Sequence, residues 1–253
     1  MKAPGWLWCC LWLGVTGWAE DIVPTILERR PHDPQAFTQG LLIHGSSWIE
    51  GTGQYGRSDL REVDRKTGKV LRKRSLPRQW FGEGVALLNG ELFQLTWRSG
   101  VCRVVDLESF TVLRTHRYPG EGWGLTTDGE SLFMSDGTST LRVLESKDFT
   151  ETRRIKVTEN DRPVKDLNEL EWIDGEIWAN IWQTRRIVRI DPKTGKVIGG
   201  LMFPHLPLKE DRWRGQDVLN GIAVDPKTGD IWVTGKLWKA LYRIEWPVRT
   251  VEE

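Results

Sequence analysis

Gly84-Val-Ala-Leu-Leu-Asn-Gly-Glu-Leu-Phe93 is one copy of a pattern that the chain writes five times. Two apolar runs flank a small-residue turn. The same text returns as Gly40-Leu-Leu-Ile-His-Gly-Ser-Ser-Trp-Ile49, Gly124-Leu-Thr-Thr-Asp-Gly-Glu-Ser-Leu-Phe133, Glu169-Leu-Glu-Trp-Ile-Asp-Gly-Glu-Ile-Trp178 and Gly221-Ile-Ala-Val-Asp-Pro-Lys-Thr-Gly-Asp-Ile-Trp232. The turn glycines Gly45, Gly90, Gly129, Gly175 and Gly229 lie 45, 39, 46 and 54 residues apart. A period of about 40–50 residues marks a propeller or another repeat array.

Each unit continues into a third apolar run and a turn such as Asp64-Arg-Lys-Thr-Gly-Lys-Val70 or Asp191-Pro-Lys-Thr-Gly-Lys-Val197. Asp and Gly there suit tight hairpins, and the flanking alternation by two, as in Ile187-Val188-Arg189-Ile190, suits strands and not helices. Each repeat therefore reads as a four-stranded antiparallel meander. Five of them make an all-β, five-bladed β-propeller, a single domain over residues 20–253. The last repeat runs out after three strands, near Trp246. Ile22 to Arg30, with Ile22, Val23, Ile26 and Leu27, is expected to close the ring as the missing strand. The polar segments Thr158–Lys165 and Pro204–Gln216, the second with Trp213, read as loops over one face of the ring.

The composition fits such a domain. Of 253 residues, 39% are hydrophobic and 28% charged, with only 12 Pro, which excludes a disordered or collagen-like chain. Lys2, an apolar run from Trp6 to Val15 and Gly17-Trp18-Ala19 have the form of a signal peptide over residues 1–19. The run is too short for the roughly 20 residues of a membrane-spanning helix, so a secreted or periplasmic protein without a membrane span is expected. Removing residues 1–19 takes away Lys2, Cys9, Cys10 and four Trp, and leaves 35 basic against 35 acidic groups. That balance gives no footprint for nucleic acid or anionic lipid. Cys102 remains alone, so the domain must be held by its core and not by disulfides.

Equivalent residues of propeller repeats form rings about the axis, so the places where the repeats disagree are informative. Just before each innermost strand stand Gln39, Glu83, Trp123, Asn168 and Asn220; six places into the second run stand Gly53, Trp97, Gly137, Trp182 and Lys236. Aligned this way, an acid, an amine, amides and tryptophans converge on one mouth of the channel. Each residue also has a plainer reading: Trp in a strand is commonly core, Asn at a strand start commonly bonds backbone, and Lys236 can be a solvated charge. Other motifs carry less. Gly51-Thr-Gly-Gln-Tyr-Gly56 spells a dinucleotide fingerprint but has no crossover helix after it and reads as a turn. His32, His44, His116 and His205 have no paired zinc spacing, and no Gly-x-Ser-x-Gly elbow occurs.

Phe37-Thr38-Gln39-Gly40-Leu41, Phe81-Gly82-Glu83-Gly84, Leu95-Thr96-Trp97, Trp123-Gly124-Leu125, Leu167-Asn168-Glu169-Leu170, Ala179-Asn180-Ile181-Trp182 and Leu219-Asn220-Gly221-Ile222-Ala223, in this order, resemble the plant-type glutaminyl-peptide cyclotransferases, a family found also in bacteria. The resemblance runs over residues 22 to 246. It implies a five-bladed propeller, unrelated to the zinc-dependent animal-type enzyme, that converts the N-terminal Gln of peptides or proteins into pyroglutamate with loss of ammonia; no metal, no cofactor and a monomer are expected. It puts the catalytic acid/base on Glu83 and the substrate pocket on Phe37, Gln39, Trp97, Trp123, Asn168, Trp182 and Lys236. Two other classes stay open on the residues: a calcium-dependent lactonase-like propeller, with Glu83, Asn168 and Asn220 as ligands, and a non-catalytic binding propeller.

Overall fold

Two of the five inner hairpin turns have the double left-handed backbone that Asn-Gly and Asp-Gly favour. Asn89 and Gly90 take φ of 53° and 79°, and Asp174 and Gly175 take 50° and 81°. Two consecutive positive φ values are the signature of the two-residue turn whose twist matches that of paired strands, and Asn and Asp tolerate this region better than other side chains do. The computed structural model, which describes residues 21–212 and 218–246, shows such hairpins built into five blades.

Blade 1 comprises Thr38–His44, Ser47–Thr52, Asp59–Asp64 and Val70–Ser75; blade 2 comprises Gly82–Leu88, Glu91–Thr96, Val101–Asp106 and Val112–Arg117. Blade 3 comprises Leu125–Thr127, Ser131–Met134, Thr140–Glu145 and Glu151–Lys156. Blade 4 comprises Leu167–Ile173, Glu176–Ile181, Arg186–Ile190 and Val197–Met202, and blade 5 comprises Leu219–Val224, Ile231–Gly235 and Ala240–Ile244. Within each blade, sequential strands pair antiparallel. The five innermost strands touch one another in cyclic order, the last against the first.

Inner strands are buried on both faces and outer ones on one. Ser47–Thr52 is buried throughout, whereas Val70–Ser75 alternates between half-buried and exposed. This is why the inner text is nearly continuous in apolar residues and the outer text alternates. The core is accordingly divided into five clusters, one for each seam between blades. At the seam between blades 5 and 1, Trp48 and Trp232 meet edge to face with centroids 5.3 Å apart.

Ring closure follows the expectation, with a division of labour. Ile26–Pro31 pairs antiparallel with Ala240–Ile244, placing Arg29 opposite Tyr242, and becomes the outer strand of blade 5. Arg29 also bonds the buried Asp211, which accepts from Tyr242 Oη at 2.5 Å. Asp21–Ile22 goes elsewhere, adding a fifth, parallel strand to blade 4 beside Gly200 and Leu201. Arg186 fixes it there, donating to both carboxylate oxygens of Asp21 at 2.7 and 2.8 Å. The expected loop at Thr158–Lys165 is a small hairpin, Thr158–Glu159 against Arg162–Pro163, turned by Asn160 and Asp161, both at positive φ. Pro204 to Arg212 is a connection with one 3-10 turn, Lys209–Asp211; Trp213 lies outside the described residues, as do residues 1–20, on which the expected signal peptide falls. Among the described residues no helix is long and apolar enough to cross a membrane.

Candidate active site

Four of the five innermost strands carry a register shift at their first residues: between Thr38 and Gly40, Gly82 and Val85, Leu167 and Leu170, and Leu219 and Ile222. A bulge re-aims the side chain it carries. The re-aimed side chains are those of Gln39, Glu83, Asn168 and Asn220. The next residue is glycine in four of the five repeats, and at three of them the inner strands approach backbone to backbone, while Gly221 takes a φ of 124°. A Cβ on Gly40 would lie 2.4 Å from Val85 N, one on Gly84 2.5 Å from Leu125 N, and one on Gly124 2.0 Å from Asn168 O. Blade 4 departs from this rule with Glu169, whose carboxyl reaches across the axis. It accepts from Leu41 N at 3.3 Å and Ile222 N at 2.9 Å, tying blade 4 to blades 1 and 5.

At this mouth a cavity of about 280 Å³ is lined by Phe37, Gln39, Phe81, Glu83, Trp97, Trp123, Asn168, Trp182 and Lys236. The eight residues singled out in the sequence thus come together in one place, and Phe81 joins them. The aromatic wall is made of two edge-to-face groups: Phe37 on Phe81 at 6.0 Å with Phe81 on Trp97 at 5.6 Å, and Trp123 on Trp182 at 5.4 Å. The glycines of the second ring make room for it, since a Cβ on Gly53 would strike the Phe81 ring and one on Gly137 the Trp123 indole. Trp182, 37% exposed, forms the rim.

Glu83 is 3% exposed, and its Oε2 has no hydrogen-bond partner among the described residues; neither has Asn168 Oδ1. Burial pushes the Glu83 carboxyl well above the usual carboxylate range, against the opposing pull of the Lys236 ammonium and the Gln39 side chain. Burial likewise pulls Lys236 down to about 8, with Glu83 resisting. Lys236 Nζ lies 5.0 Å from the Phe37 centroid. Burial thus shifts acid and amine alike towards their uncharged forms, which suits a site that moves protons. Glu169 is also buried and also raised, first by burial and then by Glu171, but both its oxygens are occupied by backbone N–H groups and it does not line the cavity.

Two residues escaped the sequence reading. Phe81 is one, and Glu121 the other. A single oxygen of Glu121 accepts from Trp97 Nε1 at 2.6 Å and Trp123 Nε1 at 3.0 Å, while its partner oxygen accepts from Arg98. One carboxylate thereby holds two pocket walls in place. Burial opposes its ionisation, but the bonds from Trp123, Arg98 and Trp97 outweigh this and keep it below the ordinary range. Both residues stand two places before a ring residue, in the register of Phe37, so the comparison of repeats that found the ring contained their signal. Asn220 stands beside the cavity, bonded to Thr38 O and Gln39, and does not line it. The dinucleotide-like Gly51–Gly56 segment ends one strand and turns into the next, with no helix. No cluster of three or more His, Cys, Asp or Glu suited to a metal ion occurs among the described residues.

Fold and site together define a five-bladed propeller with a buried carboxyl and an amine at one mouth of its channel, walled by aromatic rings. The chain belongs to the glutamine cyclotransferase family, whose model matches residues 15–246. It is 45% identical over 224 residues to a glutaminyl-peptide cyclotransferase of Arabidopsis thaliana, an alignment covering 87% of this chain and 70% of the relative. The crystal structure of Myxococcus xanthus glutaminyl cyclase superposes with a TM-score of 0.84 at 35% identity, over 90% of this chain and 98% of that one. The WD40 propeller domain of Doa1, at 9% identity and TM-score 0.51 over 82% of this chain and 63% of its own, shares the propeller fold alone.

Proposed function

We propose that the chain is a glutaminyl-peptide cyclotransferase, which closes the N-terminal glutamine of a peptide onto its own α-amine to give pyroglutamate and ammonia. The observation that carries this, beside family membership, is the unpartnered Glu83 oxygen in a Trp-walled cavity that also holds an ammonium group. A glutaminyl N-terminus is the complement of that cavity. Its α-amine and carboxamide offer N–H donors to Glu83 and Asn168, and the carboxamide oxygen an acceptor to Lys236.

Nucleophile and electrophile belong to one molecule, so the enzyme's work is to select the folded conformer and move protons. An α-ammonium titrates near 7.7–8.0 and must lose a proton before attack. That first proton leaves to solvent, and Glu83 accepts a second one from the amine nitrogen as it bonds to the side-chain carbonyl carbon. Negative charge develops on the carbonyl oxygen, where Lys236 stabilises it. The carbon–nitrogen bond to the former amide group then breaks as Glu83 returns its proton to that nitrogen, which leaves as ammonia. Amide ion is far too basic to leave unprotonated. The carboxyl ends the cycle as it began, and its raised pKa brings it towards the amine with which it exchanges. The tryptophans exclude water and hold the aliphatic part of the side chain.

Residues 1–19 are proposed to be a removed signal peptide, and the protein a secreted or periplasmic monomer. Cleavage after Ala19 would leave Asp21 as the second residue, where it pairs with blade 4. Ammonia release from a Gln-initiated dipeptide tests the activity; no release by the folded protein would refute it.

A further inference from the structure

Asn220 is wholly buried at the seam where blade 5 meets blade 1, and its surroundings dictate how two amides are oriented. Its Nδ2 lies 2.9 Å from the carbonyl oxygen of Thr38 and 3.2 Å from the side chain of Gln39. A backbone carbonyl only accepts, so the atom facing it must be the Asn220 nitrogen. That nitrogen has only hydrogens to offer, so the end of Gln39 that faces it must be the oxygen, Oε1. The NH₂ of Gln39 is then left to the cavity that it shares with Glu83.

The reference point of this chain is fixed. Thr38 Oγ1 donates to Glu50 at 2.7 Å, and Glu50 is held by His32 at 3.0 Å. The other ring nitrogen of His32 lies 2.9 Å from Trp238 O. Gly221 N, next to Asn220, is bonded to Asn180 Oδ1 at 3.0 Å. Thr38 is thus held through its hydroxyl and Asn220 through the backbone beside it, while Asn220 Oδ1 has no hydrogen-bond partner among the described residues, so only the nitrogen end of the amide is engaged.

We propose that Asn220 is a positioning residue for proton transfer: it fixes Gln39 so that an N–H, and not the carbonyl oxygen, faces the Glu83 carboxyl. This rests on the reading of Glu83 as the proton carrier, and adds a determinant on a different blade that never touches substrate. Without Asn220 the Gln39 amide is free to turn over and present its oxygen, which repels the carboxylate and favours the protonated acid. The other groups that act on Glu83 are Lys236, Glu121 and Tyr118. All three remain when Asn220 is replaced, so a change in the titration of Glu83 reports on Gln39.

The test titrates Glu83 directly, through the pH dependence of pocket tryptophan fluorescence, taking as signal the transition that Glu83→Gln abolishes. In Asn220→Ala its midpoint should rise by about 1 pH unit, the size of effect expected for losing a hydrogen bond to the charged form. In Gln39→Met it should rise similarly, and in the double variant no further than in Gln39→Met, since both act through one contact. The acidic limb of ammonia release should move by the same amount, with KM little changed in Asn220→Ala. An unmoved midpoint in folded Asn220→Ala, or additive shifts in the double variant, would overturn the proposal. Asn220→Leu, which keeps the volume without the donor, takes its place if the alanine variant does not fold. Because the fluorescence titration needs no turnover, it separates a wrong positioning role from a wrong activity, which would show as a wild-type protein that titrates normally and releases no ammonia.

Discussion

Replacing Glu83 by Gln should damage turnover and improve stability at the same time. Glutamine keeps the size and most of the hydrogen bonding of the side chain but cannot accept and return a proton. General acid–base catalysis is worth about 10²–10⁴ in rate, or roughly 3–5.5 kcal/mol of barrier. The upper part of that range applies here, because no neighbour can act as substitute. The Glu121 oxygens are taken by two indoles and Arg98, and those of Glu169 by backbone amides. The stability effect has the opposite sign. The folded pKa of Glu83 lies above its unfolded value, so its stabilising influence holds at pH below the unfolded carboxyl pKa and is lost as pH rises through the folded one. At neutral pH and above, Glu83→Gln removes this cost, and each 1 kcal/mol relieved should raise Tm by about 2–4 °C in a chain of this size. Steady-state ammonia release at several pH values, with thermal unfolding of the same samples, measures both. Residual activity in the variant should lack the acidic limb, which in the wild type falls as pH drops through the Glu83 pKa. Near-normal kcat in Glu83→Gln would refute the acid/base role and move it to water held by Asn168 and Lys236.

Trp182→Ala, at the exposed rim, should raise KM or lower kcat/KM with little loss of stability, whereas Trp232→Ala, at 1% exposure in the seam core, should cost about 3–5 kcal/mol without a specific kinetic effect; the reverse pattern would return Trp182 to a structural role. Deleting residues 21–31 should strip Ala240–Ile244 of its partner and Asp211 of Arg29, lowering Tm by roughly 10 °C or more, and an unchanged Tm would refute closure by this segment. Activity should survive exhaustive chelation, since the ring that would offer Glu83, Asn168 and Asn220 to a cation already contains the Lys236 ammonium; activity lost with EDTA and restored by Ca²⁺ would favour the lactonase-like chemistry.

The legibility of this molecule in its sequence follows from where its constraints are written. Hairpin turns need Asn-Gly or Asp-Gly, and inner strands that touch need glycine after the ring residue. Both demands are local and recur, the first in three repeats and the second in four, so blade number and register can be read without coordinates. The site is legible for the same reason inverted: where the scaffold repeats, departures from the repeat mark what the scaffold carries. Phe81 and Glu121 were overlooked although their positions, two before Glu83 and Trp123, obey that logic, since Phe37 was noticed alone and not as a member of a third ring. Glu169 is a departure too, a carboxyl in a glycine slot, but its use is structural, and only its two backbone partners reveal this.

Other features were beyond reach because they depend on partners distant in the chain. Asp21 leaves the closing strand for blade 4 because Arg186, 165 residues later, takes its carboxylate. Asn220 and Gln39, 181 residues apart, meet only because the N-terminal strand draws blade 5 against blade 1. His32, which follows that strand directly, binds Trp238 O on one side and Glu50 on the other, so the peptide segment that closes the ring is bonded, through Thr38, to the amides that flank Glu83. Closure and catalysis therefore share one seam. A substitution that loosens the closing strand should disturb proton transfer at Glu83 before the blades themselves come apart, and it should do so through Gln39, leaving the Trp97 and Trp123 walls, which Glu121 holds from the other side of the pocket, in place.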